Sequence, residues 1–238
     1  LKPELVIIEN VRDVIKSEGK EVEKAVKQFE KMGYYTSSEV LCGRDFGVAQ
    51  DRYRHFLIAS KKSVPDFSII ETFRLKQPRT LKWAIHDLKD KLQTEGEFNS
   101  TTKTPNQLNK DRMQWLIDND EYELCFELKP DCHKRKNTHP AVYGRMYWNK
   151  PSSTITAGFT SNGQGRYTHP DADPGRTITP HEGARIQSFP DWFKFPDNGK
   201  RGTLTKGIGN AVPPLLALYV CHVAMETRTL SNPSLIKI

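Results

Sequence analysis

The sequence predicts an α/β fold, the closing part of an open sheet, on three observations. Residues 4–8 (ELVII) form a continuous apolar, β-branched run, the pattern of a strand covered on both faces in a parallel sheet. Between residues 14 and 32, Val22, Ala25, Val26, Phe29 and Met32 recur at spacings of three and four among Lys and Glu, and Gly33 follows. That is an amphipathic helix with a glycine C-cap. Residues 34–41 and 54–60 (RHFLIAS) then read as two strands linked through Gly43 and Gly47, an antiparallel hairpin ending the sheet.

Beyond residue 61 the apolar groups shorten and charge dominates. Residues 83–92 and 112–117 suit short helices, separated by a polar loop (GEFNSTTKTPNQLN). From 151 to 190 Gly, Pro, Thr and Ser predominate, with one helix signal at 180–188 opened by Pro180. A last helix begins near Pro213, because proline is tolerated only in a first turn. Three units follow: residues 1–60, 61–204 and 205–238.

The chain has 238 residues and a net charge of +7, which favours a polyanionic partner. Its longest apolar stretch is too short to span a bilayer, which needs about 20 apolar residues, so no membrane partner is expected. Cys42, Cys125, Cys132 and Cys221 are too scattered for a disulfide framework, and a reducing cytoplasm is the expected compartment. Cys42, Cys125 and Cys221 sit in apolar settings and read as buried thiols. The spacing of Cys125, Cys132, His133 and His139 fits no standard zinc site, and no metal is expected. The opening on Leu1, with strand-like sequence three residues on, looks like part of something larger.

Four segments carry chemistry. Glu9-Asn10-Val11 ends the opening strand, where α/β sheets bind ligands; a strand-terminating carboxylate is the plainer reading. In Gln50-Asp51-Arg52-Tyr53-Arg54 two arginines alternate on a strand and should leave one face together. Paired guanidiniums call for a phosphate or carboxylate, unless the strand is a solvated edge. Arg176, Glu182, Arg185, Ile186 and Phe189 mark a scaffold helix in which Glu182 and Arg185 can pair. Residues 207–214 (GIGNAVPP) form a small-residue loop before the last helix, open to a ligand at its N–H groups or simply a turn.

In this order the four segments resemble the later motifs of the bacterial and phage cytosine-C5 DNA methyltransferases: ENV, Q-x-R-x-R, R-x5-E-x-A-R-x-Q-x-F-P and G-N-A-V-P-P. The tract from Tyr143 to Thr156 is similar to the same group. The resemblance implies the end portion of a Rossmann-like S-adenosylmethionine-dependent methyltransferase sheet plus a small, mostly irregular target-recognition domain. It implies transfer of a methyl group from S-adenosylmethionine to C5 of a cytosine flipped out of double-stranded DNA, in a restriction–modification setting. It gives Glu9 the pyrimidine N3, where density gathers when a thiolate adds to C6, so that Glu9 must hold or share a proton. Arg54 would meet O2, while Arg52 and Gln50 would hold the active-site loop and the neighbouring phosphate. Asn210 and Val212 would line the cofactor pocket.

The family's Pro-Cys nucleophile and glycine-rich cofactor loop are not in this sequence. The expectation is therefore a fragment or one half of a split enzyme, inactive without an N-terminal portion or companion subunit. A noncatalytic DNA-binding or regulatory module and an RNA cytosine methyltransferase fragment are the alternatives. DNA contact is expected from a basic cluster, Lys129, Lys134, Arg135, Lys136, Arg145 and Lys150 against Asp131 alone, which is otherwise a solvated loop. The small-residue loop holding Arg166 is a second candidate.

Overall fold

The structure, a computed structural model, describes residues 2–91, 98, 106–134, 141–195 and 201–229. Strand β1 (Leu5–Val11) opens the chain, followed by helix α1 (Glu21–Lys31) and strand β2 (Tyr35–Cys42). Strand β3 (Gln50–Asp51) leads into β4 (Tyr53–Ser60). The sheet order is β1-β4-β2, and both β1 and β2 pair antiparallel with β4, so they run parallel to each other on its two sides. The predicted β2/β4 antiparallel pair is present, but its second strand is inserted beside β1 rather than added at the rim.

That insertion changes which strand is doubly covered. Strand β1 is an outer strand of the three, with Ile7 and Ile8 37% and 36% exposed, not the buried strand its run suggests. The covered strand is β4, where Phe56, Leu57, Ile58 and Ala59 are all buried. A central strand needs apolar side chains on both faces, and β4 supplies them. Helix α1 is shorter than its pattern, because residues 12–16 form a separate 3-10 turn, and Gly33 closes it at φ +77°.

Helix α2 (Leu81–Ile85) is capped by Thr80 and tightens into a 3-10 turn over 86–91. Helix α3 (Gln107–Asp118) begins five residues before its predicted start, because the Asn106 side chain accepts from Asn109 N and caps it there. Strand β5 (Ser152–Ser153) pairs parallel with β3. Helices α4 (Pro180–Ile186), α5 (Arg201–Asn210) and α6 (Pro214–Thr229) complete the described elements.

Two cores result. One joins Leu81, Ile85, Ile155, Phe159, Ile178, Ile186 and Ile208, bringing α2, α4 and α5 together. The other packs Leu216, Val220, Val223 and Ala224 of α6 on Phe56 and Ile58 of the sheet. Consecutive helices α5 and α6 thus serve different cores, bending by 43° at the break between them. No single helix among the described residues is long and apolar enough to cross a membrane.

Candidate active site

Register places the central pair. Glu9 stands opposite Phe56 and Val11 opposite Arg54, so Glu9 and Arg54 are diagonal neighbours on one sheet face. Arg54 Nε and Glu9 Oε1 form an ion pair at 2.8 Å, with the side chains 15% and 27% exposed. Arg54 Nη1 donates to the Tyr53 carbonyl at 2.8 Å. Glu9 Oε2 and Arg54 Nη2 have no partner among the described residues, leaving an acceptor and a donor side by side. The carboxylate expected beside the arginine pair is therefore Glu9 itself.

Arg52 departs from expectation. It falls in the break between β3 and β4, is 1% exposed, and turns inward. Its Nη1 donates to the Ile155 carbonyl at 2.8 Å, and its Nη2 to those of Gly209 and Ala211 at 3.0 and 3.1 Å. Burial, then the neighbouring Arg54 charge, pushes its pKa down to about 10. Three carbonyls on two backbone segments are pinned by one guanidinium, and its partners are carbonyls rather than an anion.

Gln50 is likewise internal, not at a DNA-facing surface. It is fully buried, donating to Gln187 Oε1 at 3.0 Å and accepting from Ile155 N at 2.8 Å. One end of its amide holds the chain just after β5, and the other holds the end of α4.

The scaffold helix pairs differently from the i,i+3 expectation. Glu182 turns back to the cap: its carboxylate takes both Arg176 nitrogens at 2.8 Å and the Thr179 N–H at 2.7 Å, while Thr179 Oγ1 accepts from Glu182 N. This is a capping box, signalled in sequence by T-x-x-E, and a first-turn acid faces its cap rather than the helix surface. Arg185 instead pairs with Asp87 and Asp191 at 2.9 and 2.7 Å. Buried His169 stands 3.4 Å from Glu182, an association that sequence spacing did not reveal.

The predicted 207–214 loop is mostly helix. Residues 207–210 end α5, and only 211–213 separate it from α6. Gly209 lies so close to the Thr156 backbone that a Cβ would fall 2.4 Å from it, which explains the glycine. The first turn of α6 is already engaged, since Leu215 N donates to Ser188 Oγ at 3.2 Å. Asn210 is exposed at the end of α5, and Val212 is half-buried against the sheet core.

The basic residues scatter. Lys134 pairs with Asp131 at 3.1 Å, and Arg135 and Lys136 lie outside the described residues. Arg166 is turned inward, its Nη1 donating to the Tyr122 and Arg145 carbonyls at 2.6 and 3.0 Å and its Nη2 to Glu123 at 2.8 Å. Arg145 is buried against Asp120. In both cases the guanidinium caps carbonyls of an irregular chain that lacks a sheet to satisfy them.

Of the four cysteines only Cys42 is buried, and burial raises its pKa; Cys125 is half-buried, while Cys132 and Cys221 are exposed. The outward helix face of Cys221, not seen in its apolar neighbours, explains the difference. No cluster of three metal-ligating side chains occurs among the described residues, which do not include His139.

The C-5 cytosine-specific DNA methylase family pattern matches residues 1–225. The chain is 41% identical over 224 residues to the type II methyltransferase M1.BsuMI of Bacillus subtilis, covering 92% of this chain and 51% of that protein. It is 31% identical to the type II methylase M.HgiDII of Herpetosiphon aurantiacus over 229 residues, covering 92% and 64%. It therefore spans between half and two thirds of these relatives. The fold is shared with a DNA modification methyltransferase encoded within an Escherichia coli prophage (TM-score 0.65, 20% identity, 96% of this chain and 71% of that one). It is shared too with the S. pombe Dnmt2 methyltransferase (TM-score 0.55, 18% identity, 95% and 68%). With its ENV and Q-x-R-x-R segments meeting at one ion pair inside that fold, the chain belongs to the C-5 cytosine-specific DNA methylase family.

Proposed function

We propose that this chain is the C-terminal portion of a type II restriction–modification DNA (cytosine-5-)-methyltransferase, and that Glu9 and Arg54 hold the flipped cytosine. The Glu9–Arg54 pair carries the reading. Its free carboxylate oxygen and free guanidinium nitrogen form an acceptor–donor edge, matching a pyrimidine that offers an exocyclic amine, N3 and O2. Arg54 Nη2 donates to O2. Glu9 Oε2 accepts from the N4 amine, and a proton that Glu9 takes from solvent passes to N3 as density builds there.

None of the four cysteines follows a proline, so the thiolate that adds to C6 is supplied by polypeptide outside this sequence. Arg52 acts indirectly: by pinning the 155 and 209–211 carbonyls it fixes two segments against the β4 strand that presents Arg54. Residues near that staple also suit S-adenosylmethionine. Asn210 offers an exposed amide for its amino-acid end, and Val212 an apolar side chain for its ring. When bound, that cofactor supplies an electrophilic methyl carbon.

The test uses the assembled enzyme, this chain with the remaining portion, on cytosine-containing duplex DNA. Glu9→Gln should lower turnover about 10²-fold or more with DNA affinity retained. Unchanged turnover, or lost binding with normal turnover, removes Glu9 from the chemistry. Binding without methyl transfer by any assembly would favour a noncatalytic DNA-binding module instead.

A further inference from the structure

A cavity of about 600 Å³ opens between β3, β5 and the 141–147 and 164–167 segments, and none of Glu9, Arg54, Asn210 or Val212 lines it. That volume lies within the range of small-molecule sites. Tyr147 forms one wall. Tyr122 stacks on it with ring centroids 4.3 Å apart and planes 11° off parallel. The Lys150 ammonium also lies over the Tyr147 ring, 4.3 Å from its centroid. Two groups at that distance cannot share one face, so Lys150 covers the face that Tyr122 leaves open. The Arg166 guanidinium, held by the Tyr122 and Arg145 carbonyls and Glu123, also packs against the ring, farther off at 5.1 Å from its centroid. Lys150 is exposed and held by no ion pair among the described residues, so its departure costs little.

The other walls present uncommitted polar groups. Asp51 Oδ1 accepts from Arg44 at 3.0 Å, while Oδ2 has no partner among the described residues. The Ser153 hydroxyl, the Gln164 amide and the Tyr147 hydroxyl have none either. An aromatic face, a carboxylate and adaptable donors and acceptors together describe what a nucleobase bearing an amine requires. Arg166 also lines the cavity, but its guanidinium is engaged by the Tyr122 and Arg145 carbonyls and by Glu123, so the uncommitted charge is the Asp51 carboxylate. A carboxylate repels phosphate, which argues that a base edge, not the backbone, enters here.

We propose that this cavity is a second nucleobase pocket, in which a base of the target duplex other than the methylated cytosine leaves its stack, displaces Lys150 from Tyr147 and is read by Asp51. Lys150, once displaced, is placed to meet a flanking phosphate. Asp51 accepts from an exocyclic amine, so adenine, cytosine or guanine fits and thymine does not. The inference rests on the reading of the chain as part of a DNA methyltransferase.

Abasic substitution scanned through the target duplex, with affinity measured on the assembled enzyme, tests it. Stacking on an aromatic side chain predicts a loss of roughly 10- to 100-fold at one position besides the methylated cytosine. Thymine at that position should cost as much. Tyr147→Ala should weaken the intact duplex equally and add nothing on the abasic one, while Tyr147→Phe should stay within about threefold of the parent by keeping the stacking face. A flat scan with the unaltered enzyme overturns the proposal whatever the variants do, as do additive losses at every position. Methyl transfer measured alongside separates the outcomes: a flat scan with normal turnover removes this pocket and leaves the Glu9–Arg54 reading intact.

Discussion

Glu182 is 1% exposed and carries three charge-assisted contacts. Burial alone would raise its pKa, but the Arg176 hydrogen bonds and charge, the nearby His169 and the Thr179 N–H outweigh it and hold the carboxyl below its ordinary value. A folded-state pKa below the unfolded one gives stability that is full above about pH 4.3 and drains as the pH falls through the folded value. Glu182→Gln leaves Arg176 buried with a neutral partner, which should cost about 3–5 kcal/mol at neutral pH. Thermal melting should show a drop of roughly 10 °C, at about 2–4 °C per kcal/mol for a chain this size, and the gap to the parent should close in acid. A gap independent of pH would mean that the pair contributes packing rather than charge. Residue identity at the proposed site was legible because Glu9 and Arg54 lie in recognisable motifs. Their contact was not, since it depends on the β1/β4 register, and register is fixed by partners 43 to 55 residues apart.

Elements with strong local punctuation could be read directly. Gly33 ends α1 and Pro180 opens α4, whereas the spacing of Glu182 pointed to Arg185 rather than to the Thr179 cap that it closes. Helix α5 could not. Its sequence RGTLTKGIGN carries three glycines, each costing about 1 kcal/mol of intrinsic helix preference, and it is helical because Ile208 enters a core and Gly209 nests on the Thr156 backbone. Intrinsic preference alone would make Gly209→Ala stabilising. Packing dictates the reverse, since the new methyl would meet backbone atoms that cannot swing aside. Overpacking of this kind costs typically 1–3 kcal/mol, which denaturant melts should register as a lower midpoint. The same shift would loosen the carbonyl that Arg52 holds, so DNA methylation by the assembled enzyme should fall as well. A stabilised Gly209→Ala protein would show that α5 does not sit against residue 156.

At the scale of the whole molecule, the class of fold was visible because strand and helix periods alternate cleanly through residue 60. What could not be seen was the order of the strands. Nothing in the pattern of β1 or β4 says that the third long strand lies between the first two, and this reversed the expected burial of Ile7 and Ile8. The two cores were hidden for the same reason: α5 and α6 follow one another in sequence yet serve different cores.

The insertion of β4 also dictates an order of assembly. When residues 5–42 leave the ribosome, β1 and β2 are two like-directed ribbons with a strand-wide gap between them, and neither can hydrogen-bond the other. Only residues 53–60 can bridge them, and the short span from Cys42 to Tyr53 lets β2 fold back on β4 at a lower loop-closure cost than the longer span back to β1. Pulsed hydrogen exchange during refolding should therefore protect amides of residues 35–42 before those of 5–11; simultaneous protection would mean that the sheet condenses in one step. Glu9 and Arg54 come within reach of each other only with that final zippering, so the edge proposed to hold the pyrimidine is the last part of the sheet to exist.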